Sequence, residues 1–130
     1  MFSVDLINPF DEQNISVFPD FFKCQGAFVG LLSDGRLAGA ANVVINKNAA
    51  IKKVLLLKEF DEENVRRFFL RAITLKLINC SDLILSDFYD ALLEEIGFCA
   101  EGNGMKCLSK DVVFKKMCGG DQKTTIICEK

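Results

Sequence analysis

The chain has 130 residues, half of them apolar, with a mean hydropathy of +0.22 and a formal net charge of −2 at pH 7. This length fits one domain with one hydrophobic core. Every apolar run is shorter than the roughly 18 residues that cross a bilayer, so we expect neither a transmembrane segment nor a membrane partner. Lys and Arg form no strong cluster, which argues against nucleic acid as a partner.

The chain contains no histidine, and this absence excludes two kinds of site. Ser-His-Asp and Cys-His nucleophiles both need imidazole as their base, and a zinc site without histidine needs closely spaced cysteine pairs. No Cys-x-x-Cys pair occurs. We therefore expect the six cysteines to be small, mostly buried apolar residues: Cys24, Cys80, Cys99, Cys107, Cys118 and Cys128. The first residues have neither a basic flank nor a cleavable apolar core, which predicts a cytoplasmic protein.

Apolar periodicity and turn residues predict the elements of the first half. These are a strand at 2–7, one or two short helices within 11–24, a hairpin of strands 26–32 and 37–45, and a strand at 49–58. The pair Asp34-Gly35 is typical of a tight hairpin turn. The helical segment carries three phenylalanines, Phe18, Phe21 and Phe22, which we expect to pack into a core. The near-continuous apolar run of 49–58 predicts a central strand covered on both faces.

The second half predicts a helix, a strand, a second helix and a closing hairpin. The expected ranges are helix 62–79, strand 83–85, helix 88–96, strands 98–101 and 105–115, and an edge strand at 124–128. Asp61 and Asp87 are the predicted N-caps, and Gly97 the predicted left-handed helix end. Apolar residues at spacings of three and four predict one buried stripe on the long helix: Val65, Phe68, Phe69, Ala72, Ile73 and Leu77.

This order of elements, closing on Gly97-Phe98, resembles the acyl-CoA-binding half of the GNAT N-acetyltransferase family. The resemblance covers about residues 26–116 of a single domain, with 117–130 as a tail or edge strand. It implies an α/β fold with a mixed, mainly antiparallel sheet, a splayed central strand pair and flanking helices. It also implies acetyl-CoA as cofactor, with the pantetheine arm on strand 49–58 and the pyrophosphate at the N-terminus of the long helix.

The resemblance assigns cofactor binding to two short segments. The implied residues are Leu55, Leu56, Leu57, Asn64, Val65, Arg66 and Arg67. The family's phosphate loop, Gln/Arg-x-x-Gly-x-Gly/Ala, falls on residues 61–66, where Asn64 and Arg66 fill both glycine positions. Three carboxylates, Asp61, Glu62 and Glu63, weaken the attraction for a pyrophosphate. Two interpretations stay open: the helix still binds the pyrophosphate, or its own acidic residues neutralise the helix dipole internally.

For catalysis, the resemblance implies a general base from Glu59 and a proton donor from Tyr89. The family's tyrosine lies four residues before the glycine of Gly-Phe, and Leu93 occupies that position. Tyr89 is the only tyrosine of the chain. An exposed loop position is the alternative for Glu59, and ring packing is the alternative for Tyr89.

The segment between the first two strands, residues 8–25, is shorter than the acceptor-binding region of the family. Three alternatives follow: a large acceptor in an open groove, a site completed by a partner subunit as in a homodimer, or no acceptor. The sequence therefore supports two functions. One is an acyl-CoA-dependent N-acetyltransferase that acts on an unknown small-molecule or protein amine. The alternative is a catalytically silent GNAT-fold module that serves binding or assembly.

Overall fold

One seven-stranded sheet, in the order β1-β2-β3-β4-β5-β7-β6, organises the protein. The computed structural model describes residues 1–113. Its strands are β1 (Phe2–Leu6), β2 (Ala27–Ser33), β3 (Arg36–Ile45), β4 (Ala49–Leu56), β5 (Leu83–Ser86), β6 (Cys99–Glu101) and β7 (Gly104–Leu108). Within this sheet β4 and β5 pair in parallel, and the other neighbouring strands pair antiparallel. The expected mixed, mainly antiparallel sheet is confirmed.

Helices flank the sheet: α1 (Glu12–Val17), α2 (Glu63–Leu77) and α3 (Ala91–Glu94), with 3-10 turns at Phe21–Lys23, Lys58–Phe60 and Ser109–Asp111. The larger apolar core joins α2 and α3 to the sheet. A smaller apolar cluster consists of Phe18, Phe21, Phe22, Phe28 and Ala40. The phenylalanines of the N-terminal segment are therefore core residues, as predicted. Within residues 1–113, no helix combines the length and the apolarity that crossing a membrane requires.

The β2–β3 hairpin follows from its turn residues. Asp34 and Gly35 both have positive φ, 50° and 86°. Two successive left-handed residues define the type I′ geometry, whose twist matches that of paired strands. The predicted hairpin and its turn are confirmed.

Strands β4 and β5 diverge after a short parallel contact. Only Ala49 to Ile51 of β4 face β5, whereas β4 remains paired with β3 as far as Leu56. A register shift in the β3–β4 ladder leaves Lys52 between paired neighbours, as in a β-bulge. The implied splay is thus present. The prediction that this strand is covered on both faces is wrong for its second half, where exposed Lys53 and Leu55 on one face alternate with partly buried Val54 and Leu56 on the other.

Helix α2 and its N-cap both begin one residue later than predicted. Glu62, not Asp61, is the N-cap residue, and its side chain makes no capping hydrogen bond. The predicted stripe is wrong at Phe68, which is 41% exposed, and it omitted Leu70 and Thr74, which are buried. The reason is that the buried face is centred one residue further on, on Phe69 and Ile73.

Helix α3 is shorter than the predicted range 88–96, and its cap is Asp90 rather than Asp87. The hydroxyl of Ser86 donates to the carbonyl of Phe88 (2.7 Å) and accepts from its amide (3.2 Å), so the chain turns before the helix starts. Asp90 then accepts from the amide of Leu92 at 2.9 Å. Gly97 has a φ of 114°, which confirms its position at the left-handed helix end.

The last strand of the sheet is shorter than predicted. Strand β7 ends at Leu108 instead of continuing to residue 115, because the Ser109 amide donates to the Asp82 carbonyl (2.9 Å) and the chain enters a 3-10 turn.

The predicted burial of the cysteines is wrong for Cys24, Cys80 and Cys99, which are exposed, whereas Cys107 is buried. Cys118, Cys128 and the predicted edge strand 124–128 lie outside the described residues.

Candidate functional site

The point where β4 and β5 separate forms a fork between two strand ends. The last backbone hydrogen bond across it runs from the Asp87 amide to the Ile51 carbonyl at 3.0 Å. Beyond this bond, the ammonium of Lys52 contacts the carboxylate of Asp87 at 2.8 Å. Both side chains are nearly half exposed, so this ion pair spans the fork at its solvent side.

The backbone of β4 beyond the fork offers unpaired polar groups. The Leu57 amide donates to the Ala38 carbonyl at 2.8 Å, which fixes which residues bond to β3. Successive residues of an antiparallel strand alternate between bonding to the neighbour and pointing away from it. Val54 and Leu56 therefore direct their N–H and C=O groups toward the fork, while Leu55 and Leu57 direct theirs toward β3.

Helix α2 follows β4 after the 3-10 turn, and its first residues, Glu63 and Asn64, are exposed. The first intrahelical bond runs from the Arg66 amide to the Glu62 carbonyl at 2.9 Å, so the amides of residues 63–65 have no helical acceptor. The side chain of Glu62 does not cap them. Val65 packs its side chain against the core, and Asn64 accepts from Arg67 at 2.8 Å. The helix end thus retains three outward N–H groups and the positive end of its dipole.

Carboxylates from both helices surround the two arginines of this helix end. Arg66 contacts Asp90 through Nε at 2.7 Å. Arg67 contacts Glu95 through Nε at 2.8 Å and through Nη2 at 3.1 Å, and its Nη2 also contacts Glu63 at 2.8 Å. Glu63 and Arg67 have the i, i+4 spacing that stabilises a helix, and they form an ion pair. Glu62 and Arg66 have the same spacing, but Arg66 pairs with Asp90 at the start of α3 instead.

The electrostatics differ between the arginines of α2. The hydrogen bond to Glu95 is the main reason why the pKa of Arg67 is raised above its ordinary value, and Glu63 adds to it. Burial lowers the pKa of Arg71, against the attraction of Glu95. Arg67 therefore ties α2 to α3 as a permanent cation.

The two predicted catalytic residues lie apart from regular elements. Glu59 is exposed in the 3-10 turn that follows β4, and Tyr89 is 55% exposed in the loop before α3. A hydrogen bond to Glu94 is the main reason why the pKa of Tyr89 is raised, so its hydroxyl stays protonated at neutral pH. Leu93, at the position of the family's tyrosine, is completely buried.

Two cavities flank the strands of the fork. One, of about 360 Å³, lies beside the end of β5 and the β6–β7 turn, and Asp87 and Asn103 line it. The other, of about 270 Å³, lies between the N-terminal helical segment and β4, where Pro19 and Leu55 line it. Within residues 1–113, no group of His, Cys, Asp and Glu has the arrangement of a metal site.

Solved structures share this fold. The ribosomal-protein-S18-alanine N-acetyltransferase from Escherichia coli superposes with a TM-score of 0.68 at 15% identity, covering 83% of this chain and 94% of that one. YhhK from E. coli, solved by NMR with coenzyme A bound, gives 0.65 at 11% identity over 83% and 98%. The chain has the GNAT fold. A GNAT-family acetyltransferase from Elizabethkingia anophelis with acetyl-CoA bound gives 0.62 at 11% identity, with 78% of each chain covered. No protein-family model and no curated relative matches the chain.

The GNAT fold brings together one part of the predicted site and leaves another apart. The backbone of β4 borders the fork, and the first turn of α2 follows β4 after the 3-10 turn at Lys58–Phe60. Sequence reasoning missed three site residues. It treated Asp87 only as a helix cap and assigned no role to Asp90 or Glu95. The signal that could have revealed them is the acidic composition of residues 87–95, because this segment lies against the basic turn of α2 when the two helices pack together.

Proposed function

We propose that this GNAT-fold protein binds acyl-CoA in the fork and transfers an acetyl group to an amine. The observation that carries the proposal is that β4 continues five residues past its last contact with β5, from Lys52 to Leu56. A strand that loses its neighbour exposes backbone donors and acceptors, which a ligand with amide groups satisfies.

The main chain fits acyl-CoA in two places. The outward groups of Val54 and Leu56 match the amides of a pantetheine arm, and the amides of residues 63–65 suit a pyrophosphate. Two structural neighbours are described with coenzyme A or acetyl-CoA bound, which supports this assignment at the level of the fold. Arg66 adds a cation at the same end of α2.

Bound acetyl-CoA supplies the acetyl group as a thioester, and the two proton transfers of the reaction require side chains of the protein. Glu59, just after β4, is our candidate to take a proton from the attacking amine. Tyr89, protonated at neutral pH, is our candidate proton donor to the departing thiolate, which then leaves as the thiol of coenzyme A. Each role predicts that Glu59→Gln or Tyr89→Phe lowers kcat by roughly 10²- to 10⁴-fold with little change in the Kd of acetyl-CoA.

A thermal-shift titration with acetyl-CoA tests the binding half of the proposal. Ligand at 100 times its Kd adds about 2.7 kcal/mol to the free energy of unfolding, which raises the Tm by several degrees. Thiol release with a panel of primary amines, among them a peptide N-terminus, free lysine and spermidine, tests the transfer. Absence of any Tm increase at millimolar acetyl-CoA contradicts the proposal.

A catalytically silent GNAT-fold module is the second candidate function. The observation that favours it is the burial of Leu93, which leaves the family's proton-donor position inside the core. Pairing of Arg66 and Arg67 with carboxylates favours it as well. Binding of acetyl-CoA without thiol release above the uncatalysed rate, for every amine of the panel, distinguishes this candidate from the first.

A further inference from the structure

We propose that Asp90 is an internal counter-ion that occupies Arg66 in place of the ligand's pyrophosphate, and that ligand binding exchanges this ion pair for an Arg66–phosphate pair. The inference rests on the proposed function, because it concerns the same end of α2. It makes Asp90 a positioning residue that sets the affinity for coenzyme A through Arg66.

Arg66 and Arg67, the arginines nearest the N-terminus of α2, differ in how firmly they are held. Arg67 makes four hydrogen bonds through three guanidinium nitrogens, to Asn64, Glu63 and both carboxylate oxygens of Glu95. Among the described residues, the side chain of Arg66 makes one hydrogen bond, from Nε to Asp90. Its side chain is 30% exposed, and no hydrogen bond from its two terminal nitrogens is found within residues 1–113. Arg66 is therefore the cation that is able to change partner without dismantling the α2–α3 contact.

The place of Arg66 on the helix matches this role. It is the fourth residue of α2, and helical side chains lean toward the N-terminus of their helix. Its guanidinium consequently lies beside the first turn, close to the outward amides of residues 63–65. Carboxylate and phosphate oxygens accept from the same guanidinium donors, so Asp90 and a pyrophosphate compete for one cation.

Asp90 keeps its position whether or not Arg66 is bound to it. One carboxylate oxygen accepts from the Leu92 amide at 2.9 Å and caps α3, while the other accepts from Arg66 at 2.7 Å. Its side chain is only 10% exposed. A ligand at the end of α2 therefore meets a fixed negative charge that has to be outcompeted, together with the exposed carboxylates of Glu62 and Glu63.

The test is calorimetric titration of the full chain with coenzyme A, for the wild type and four variants. Asp90→Asn keeps a capping oxygen, since Asn caps helices as well as Asp does, but removes the charge that holds Arg66. We expect a Kd for coenzyme A that is roughly five- to tenfold lower, because a hydrogen bond between charged groups no longer opposes binding. Asp82→Asn is the matched control: the same charge change at the opposite end of β5, with no change in Kd expected.

A double-mutant cycle separates the exchange from a general charge effect. In an Arg66→Gln background, Asp90→Asn has no cation to release and relieves only the repulsion between its carboxylate and the ligand, so we expect a smaller gain than in the presence of Arg66. An equal gain with and without Arg66, or no gain in either background, overturns the inference while the proposed function stands. Binding by Asp90→Asn but not by the wild type supports the inference and refutes the proposed function. Binding by neither folded protein at millimolar coenzyme A refutes both.

Discussion

Phe68 and Phe69 are neighbours in α2 with opposite surroundings. Phe69 is fully buried in the main core, whereas Phe68 is 41% exposed and touches the ring of Phe2 at a centroid distance of 6.2 Å. We expect Phe69→Ala to lower the free energy of unfolding by about 3–5 kcal/mol, because it removes a large buried side chain and leaves a cavity. Phe68→Ala should cost about 1 kcal/mol. Urea unfolding measures both, and equal losses would contradict the orientation of α2.

The sequence located this helix to within two residues but did not orient it. Val65, Phe69 and Ile73 belong to any apolar stripe drawn at spacings of three and four. The stripe is wide, however, and its edge is set by what lies opposite, which the sequence does not display. Phe68 is apolar yet lies beyond that edge, and Thr74 is polar yet buried, with its hydroxyl bonded to the Leu70 carbonyl at 2.9 Å.

Cys107 gives the protein a pH dependence at its alkaline limit. Burial raises the pKa of this thiol to about 11, so the folded state favours the protonated form. The unfolded thiol titrates at a lower pH, near 9. The stabilisation is therefore complete below pH 9 and is lost as the pH rises through 11. Urea midpoints across this range should fall more steeply for the wild type than for Cys107→Ala. Parallel curves for the two proteins would rule out a contribution from this thiol.

At the scale of elements, two glycines near the β6–β7 turn have different constraints: Gly102 lies in the turn and Gly104 begins β7. A Cβ on Gly104 would collide with the backbone carbonyl of Ser86 on β5, whereas Gly102 has open space around it and a φ of 64°. Gly102→Ala should cost about 1–2 kcal/mol, the usual cost of a left-handed residue with a side chain. Gly104→Ala should cost about 3 kcal/mol or more, because β7 has to move away from the end of β5. Equal melting temperatures of the two variants would contradict this close approach.

The elements themselves were largely predictable, because strands, helices and turns follow from local pattern. The Asp34-Gly35 turn and the alternation of the flanking strands sufficed for the hairpin. The boundaries that failed depend on contacts distant in sequence. Strand β7 ends where Ser109 bonds to the chain before β5, and helix α3 is delayed by the hydrogen bonds of Ser86. No local pattern distinguishes Asp87 from Asp90 as a cap.

The candidate site was predictable in its backbone and not in its side chains. The resemblance of the element order to the GNAT family implied the splayed strand pair and the helix that follows its first strand. The partners of Arg66 and Arg67 lie on α3, 24 and 28 residues further along the chain. Local spacing favoured partners one helical turn away instead, which holds for Glu63 and fails for Glu62.

At the scale of the whole molecule, two apolar clusters share one sheet. The larger lies with α2 and α3, and the smaller consists of Phe18, Phe21, Phe22, Phe28 and Ala40. Phe28 and Ala40 belong to β2 and β3, which also contribute Val29 and Ala41 to the larger core. Because alternate residues of the same strands enter both clusters, neither cluster is able to lose its packing while the other remains intact.

This sharing predicts a single cooperative unfolding transition for the residues of both clusters. Phe22→Ala, in the smaller cluster, should lower the stability of the whole sheet by about 3–5 kcal/mol. Far-UV circular dichroism reports the sheet, and alkylation of the buried Cys107, followed by mass spectrometry, reports the larger core. In the variant we expect both probes to shift to the same lower urea midpoint, since packing of the N-terminal segment is coupled to the core through β2 and β3. Early loss of dichroism with Cys107 still protected would instead mean that the N-terminal segment detaches as a separate unit.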